Sequence, residues 1–297
     1  MATTPDEGAT DTQLLDRELS GLDHLETALP TGPSRAARAW AAAWPKLLAI
    51  ALVLLVWQLV VWSGWKPEYV LPGPRKVWDS FVENFGTNMD AAWTTLQRGF
   101  KGFAFALVIG TVVGALVARN RILRSAIGSL ITGLQTMPSV AWFPLAILIF
   151  KLGEGAIFFV VVLGAAPSIA NGLISGIDQI QPILLRAGTV LGARRWKLFR
   201  HVILPAALPS FVAGLKQGWA FAWRSLLAGE LIVLIPGQFS LGQQLDANRQ
   251  LNDSAGVIAV MIVILIIGIL VDALLFGTAE RKIRRRYGLV DTAAAQA

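Results

Sequence analysis

This chain reads as an all-α, polytopic membrane protein with six transmembrane helices and with both termini on the cytoplasmic side. Of its 297 residues 55% are hydrophobic and only 15% charged, with a mean hydropathy of +0.58, too apolar for a soluble domain. The apolar residues gather into six segments of about 20 residues, the length that crosses a hydrocarbon core of about 30 Å. Basic residues cluster between those segments rather than on one folded face, so the net charge of +7 is no nucleic-acid footprint.

The first 38 residues form a polar, acidic cytoplasmic tail (Asp6, Glu7, Asp11, Asp16, Glu18, Asp23, Glu26). Disorder is expected there, with a short amphipathic helix over 12–25 as the alternative. No small-residue cleavage site follows the first apolar run, so the start does not read as a signal peptide. Residues 39–287 make the transmembrane body, and 288–297 a short C-terminal tail.

The first span covers about 44–62, with Trp40, Trp44, Trp62 and Trp65 placed as interfacial belts. Pro74 then opens a surface helix whose apolar face holds Val77, Trp78, Phe81, Val82 and Phe85. The second span, about 92–118, carries Gly102, Ala106, Gly110, Gly114 and Ala118 every four residues, a stripe for close helix approach within the chain. The third, about 127–150, is interrupted by Pro138 and Pro144. Each removes a backbone donor, and breaks of this kind in lipid tend to line cavities, a plain packing kink being the alternative. The fourth runs over about 156–174 with Pro167 inside it. The fifth, about 210–234, is followed by a loop over 235–250, and the sixth is about 256–276. Arg35, Arg38, Lys46, Arg119, Arg121, Arg124, the 177–208 loop and the Arg281–Arg286 run fall on one side, which the positive-inside rule makes cytoplasmic.

Four charges stand inside spans: Lys216, Arg224, Glu230 and Asp272. Lys216 and Asp272 lie near span ends and can snorkel. Arg224 is mid-span, where a cation costs about 2.5–3.5 kcal/mol on insertion scales, so it needs a cavity or a partner. With Gln217 on nearly the same face, and with Pro138, Trp142 and Pro144 at the broken third span, it is a candidate for a solute pathway that prefers anions. The competing reading is a structural Arg paired with Glu230 or Asp272, within the chain or across a dimer.

The stretch 186–209 is basic and amphipathic, unlike the spans around it. As helix it places Leu184, Ala187, Gly188 and Leu191 on one face. Gly192 and Ala193 form a bend, and a second helix follows with Trp196, Phe199 and Ile203 on one face, closed by Leu204, Pro205 and Pro209. Apolar side chains facing water in a loop imply that something docks there. Gly192, Val202, Leu204 and Pro205 make the spacing G-x9-V-x-L-P, which resembles the coupling loop of permease subunits of ATP-binding-cassette (ABC) importers. The likeness is nearest to the branch that carries nitrate, taurine and aliphatic sulfonates. Arg186-Ala187-Gly188 stands where that family carries Glu-Ala-Ala, which removes an ion pair made by that Glu and leaves the bend intact. Leu71, Pro72 and Pro74, the run from Pro144 to Gly153, and Lys216, Trp223 and Glu230 extend the resemblance over 71–287.

The resemblance implies a plasma-membrane homodimer, two ATPase subunits that hold ATP and Mg, and an extracytoplasmic solute-binding protein that delivers the cargo. It implies alternating access, with a small organic or inorganic anion as solute. The chain itself is expected to bind no cofactor and to be no enzyme. It has no G-x-x-x-x-G-K-[ST] loop, no Cys, and no Ser, His and acidic cluster in a span, while His24 and His201 have no companions at metal-ligand spacing. The rival expectation is a secondary transporter or channel without ATPase partners. It leaves the amphipathic loop between spans four and five unexplained.

Overall fold

The computed structural model describes residues 34–287. The expectations for the acidic N-terminal tail and for 288–297 lie outside the described residues. All described elements are helical. Five helices are long and apolar enough to cross a membrane, and six if one bent pair counts as a single span. The chain divides into two compact units, Met1–Leu59 and Val60–Ala297.

The first unit contributes most of α1 (Arg35–Trp62), which carries Pro45 inside it and a 20-residue apolar run, Ala43–Trp62. In the second unit Pro74 opens α2 (Pro74–Glu83), where its missing N–H leaves no bond unmade. Val77 is buried and Phe81 packs inward, while Trp78, Val82 and Phe85 stay exposed, so two of the five residues of the expected apolar face are covered.

The centre of this unit is α6 (Glu154–Asp178), flanked by α3 (Phe85–Arg119) and by α9 (Leu204–Ile232). Three glycine contacts show why these sequences must pack here. A Cβ on Gly110 would stand 2.7 Å from the Ala166 carbonyl, and one on Gly114 2.9 Å from that of Ala170. Gly172 and Gly214 cross so closely that either Cβ would meet the other's Cα at 2.6 Å. The four-residue stripe of α3 therefore serves packing within the chain, except that Val117 takes the buried place expected for Ala118. A second apolar cluster joins Ala91 and Ala92 of α3 to Leu241, Val260 and Val263.

The third span departs most from expectation. Asn120 caps α4 (Arg121–Thr136), its Oδ1 accepting from the Ile122 and Leu123 amides. After a short 3-10 turn at Ser139–Trp142 comes α5 (Phe143–Phe150), and the two arms meet at 106°. Pro138 alone makes this break, because it drives Met137 out of the helical region (φ −76°, ψ 132°). Pro144 does not interrupt anything: it sits in the first turn of α5. The Thr136 hydroxyl donates to the Gly133 carbonyl at 2.8 Å, satisfying one acceptor freed by the break.

The remaining corrections concern boundaries. The expected stop at Pro205 and Pro209 is absent. After α7 (Pro182–Val190), the short α8 (Trp196–Leu198) runs through a π-helical turn at Phe199–Ile203 straight into α9. Pro205 occupies the first turn of α9, where a missing N–H costs least, and Pro209 is carried inside it. The expected loop over 235–250 contains a helix, α10 (Leu241–Gln250), with Leu241, Gly242, Gln243, Gln244 and Asp246 buried. The last span, α11 (Ser254–Val271), continues through a second π turn at Asp272–Phe276 into α12 (Gly277–Arg286).

A side chain at the α6–α9 crossing has nowhere to go. Gly214→Val is expected to lower stability by about 1–3 kcal/mol or more. Gly133→Ala, at a helical position with open space around it, is expected to raise it by about 0.5–1 kcal/mol. Thermal unfolding of the full chain in detergent reads both signs.

Candidate functional site

The segment between α6 and α9 is a protruding elbow whose base is tied down. Gly176 packs on Ala207, the Ser210 hydroxyl donates to Gln179 at 3.3 Å, and Arg124 pairs with Asp178 at 2.7 Å. α7 ends at a bend in which the Ala193 amide donates to the Gly188 carbonyl and the Gly192 amide to that of Thr189. That pair of bonds needs a left-handed residue, and Gly192 supplies it at φ +82°. Gly188 is the pivot: a Cβ there would stand 2.9 Å from both Leu198 and Val202.

Gly188 is thus the inward member of the expected face, whereas Leu184, Ala187 and Leu191 point outward. Ala193 is half-buried in the bend, and Leu204 is exposed beside half-buried Pro205 at the start of α9. Trp196 and Phe199 stack at 5.5 Å, with the Arg119 guanidinium 6.0 Å from the Phe199 ring. The outward surface is apolar and basic together. Leu191 is 85% and Trp196 66% exposed, among Arg186, Arg194, Arg195, Lys197 and Arg200. An exposed Trp196 stacked on a half-buried Phe199 and ringed by cations has the composition of a protein-docking centre.

The expected pathway residues do not all come together. Pro138, Trp142 and Arg224 line one cavity of about 360 Å³ with Gln135 and Phe221, at the elbow of the broken span. The Arg224 guanidinium lies 5.3 Å from the Phe221 ring. Gln217 lines a different cavity, of about 680 Å³, beside Lys216, Asp272 and Arg284. Pro144 is exposed in α5 and is not among the residues lining either.

Neither partner expected for Arg224 is free to pair with it in this chain. Asp272 is 3.3 Å from Lys216, so these two charges meet rather than snorkel separately. Glu230 is fully buried and held by Arg98 Nη1 at 2.6 Å, with the Thr95 hydroxyl at 2.9 Å and the Gly242 amide at 3.2 Å donating to its other oxygen. Arg98 also donates from Nη2 to Gln238 at 2.7 Å, and its Nε lies 3.5 Å from Glu154. The Leu241 amide donates to Thr95 in turn. The cluster pins the start of α10 and the loop before it against α3 and α9. It lies by Glu154, at the far end of α6 from the elbow.

Sequence reasoning passed over Arg98, although a signal was present. Ala91, Thr95, Arg98 and Gly102 are spaced by four, three and four residues. They are all buried, so Arg98 continues the same stripe as the glycines.

Residues 106–285 match the family described as binding-protein-dependent transport system inner membrane component. The chain belongs to this family. It is a permease subunit of an ABC importer and a multi-pass protein of the inner membrane. That membership sets aside the reading as an unaided secondary transporter or channel. An ABC transporter permease protein of Methanocaldococcus jannaschii is 30% identical over 233 residues, covering 76% of this chain and 86% of the relative. The taurine transport system permease protein of Escherichia coli is 28% identical over 230 residues, 75% of this chain and 82% of the relative. In fold the permease is similar to a chain in a solved structure of the inward-facing MetNI methionine ABC transporter. There the TM-score is 0.53 at 23% identity, covering 65% of this chain and 93% of that one.

The buried ion pair yields a prediction. Removing one partner strands a charge, so Arg98→Met is expected to cost about 3–5 kcal/mol. The double variant Arg98→Met/Glu230→Met is expected to recover much of that loss, as judged by unfolding temperatures in a double-mutant cycle.

Proposed function

We propose that this permease lines a solute pathway with a second copy of itself, and that residues 186–209 couple the pathway to two ATPase subunits. The observation that carries this reading is the elbow at Gly192, with an outward Trp196 stacked on half-buried Phe199 among five basic side chains. In this reading the permease domain is 39–287, both termini face the ATPases, and an extracytoplasmic solute-binding protein delivers cargo to the other side. ATP and Mg belong to the partner subunits, and this chain binds no cofactor and performs no hydrolysis.

Magnitudes support the elbow as a coupling element. Moving a two-state pathway from mostly closed to mostly open requires about 5.5 kcal/mol of differential binding. Burying one large apolar side chain contributes about 1.5–3 kcal/mol. Two elbows in a dimer, each offering Trp196 and Leu191, supply that order of energy.

The proposed solute is a small anion of the kind named by the resemblance: an aliphatic sulfonate, taurine or nitrate. Arg224 supports this choice. It reaches the cavity at the broken span, and among the described residues no carboxylate is within ion-pair distance of it. The taurine relative agrees with it.

Two experiments test the proposal. Phe199→Asp or Gly192→Trp is expected to release the ATPase subunits on co-purification and to abolish nucleotide-driven uptake; retention of both activities refutes the coupling role. For the solute, Arg224→Leu is expected to lower anion uptake at least about tenfold, the weight of one charge-assisted hydrogen bond, with the ATPase still bound. Unchanged uptake and unchanged anion preference would remove Arg224 from the pathway.

A further inference from the structure

Two groups of exposed basic residues at the elbow end of this unit differ in character. Those of the elbow stand among exposed Val190, Leu191 and Trp196. Those of α12 do not. Five of its ten residues are basic (Arg281, Lys282, Arg284, Arg285, Arg286) against one acidic residue, Glu280, a net charge of +4. The helix lies at the elbow end because Ile283 and Arg284 line a cavity together with Pro209 near the start of α9.

Neighbouring cations at the same end are neutralised within the chain: Arg124 by Asp178 and Lys216 by Asp272. Lys282, Arg285 and Arg286 are exposed, and among the described residues no carboxylate lies within ion-pair distance of them. Glu280, Ile283 and Arg284 line this cavity, whereas Lys282, Arg285 and Arg286 are not among its lining residues and occupy the outward side.

What faces them follows from where the helix begins. α12 continues the last span without a loop, directly after the exposed Leu274 and Leu275 of the π turn. At 1.5 Å per residue, Lys282 is about 10 Å along the axis from Leu275, and its side chain and those of the arginines can reach back toward the bilayer. Reached back by part of a side chain's length, that is the depth of phospholipid headgroups, which extend about 5–8 Å beyond the hydrocarbon core on each side. Beyond Leu275 the only exposed large apolar side chain among the described residues is Tyr287, a residue type that settles at that level. A face with charge and no apolar anchor fits a charged surface rather than a protein groove.

We propose that Lys282, Arg285 and Arg286 on the outward face of α12 bind the headgroups of anionic phospholipids in the leaflet on the elbow side. The inference stands apart from the coupling role of residues 186–209, because it uses none of those residues.

The test uses the purified full chain in detergent with mixed phosphatidylglycerol and phosphatidylethanolamine, with retained lipid counted by native mass spectrometry. Purified protein avoids any change of insertion direction that loss of cations causes in cells. The wild-type chain is expected to retain phosphatidylglycerol preferentially. Lys282→Gln/Arg285→Gln/Arg286→Gln is expected to lose at least about tenfold of that preference. Lys282→Arg/Arg285→Lys/Arg286→Lys, which keeps the charge, is expected to hold it. High salt weakens the preference, while excess inorganic phosphate leaves the lipid in place. An unchanged preference in the Gln variant overturns the proposal, as does equal loss in the charge-preserving variant. Displacement by inorganic phosphate would assign the patch to a soluble anion instead. An unchanged unfolding temperature in both variants ensures that the loss is read on folded protein.

Discussion

Backbone contact between helices is the constraint on which the second unit depends. In lipid there is no hydrophobic drive to bring apolar helices together, so association rests on van der Waals packing and on how closely backbones approach. Along α6 the chain obtains that approach from Gly110 and Gly114 on one side and from Gly214 and Gly218 on the other. The crossing of Gly172 with Gly214 fixes where α9 meets α6. That in turn fixes where the elbow leaves the bundle and where Glu230 arrives at its far end. Thr95, Arg98 and Glu230 can be buried only because this packing closes around them.

The helical class, the rough span positions and the stripe on α3 were legible because they are written in periods and run lengths, which survive whatever the tertiary context adds. The bend at Gly192 was legible for a similar reason: a glycine after an amphipathic helix is a local signal with a local cause. Proline was less transparent. Pro138, Pro144, Pro205 and Pro209 look alike in sequence, yet only Pro138 breaks a span. The other three stand in first turns or are absorbed in a continuing helix, and the π turn at Phe199–Ile203 that precedes Pro205 has no sequence signature of its own.

The polar partners were the least legible. Glu230 invited pairing with Arg224, six residues away, because both stood out in the same apolar run. Its actual partner is Arg98, 132 residues earlier, brought in by the α3–α9 packing that no local pattern encodes. The helix at Leu241–Gln250 was hidden likewise. The side-chain amide of its buried Gln244 donates to Asn88 of α3, and Asp246 accepts from Arg249 and Gln250, so a polar composition that reads as a loop finds partners within the chain.

The continuous run from Trp196 to Ile232 has a mechanical meaning. The tip of the elbow and the membrane arm are joined helix to helix, and the places where that run can bend are the π turn at Phe199–Ile203 and Pro209, both on the elbow side of the glycine crossing. Past the crossing the arm ends at Glu230, which is held by donors from α3 and by the start of α10. Compliance in this arm is therefore placed on its elbow side, and the end beyond the crossing is anchored.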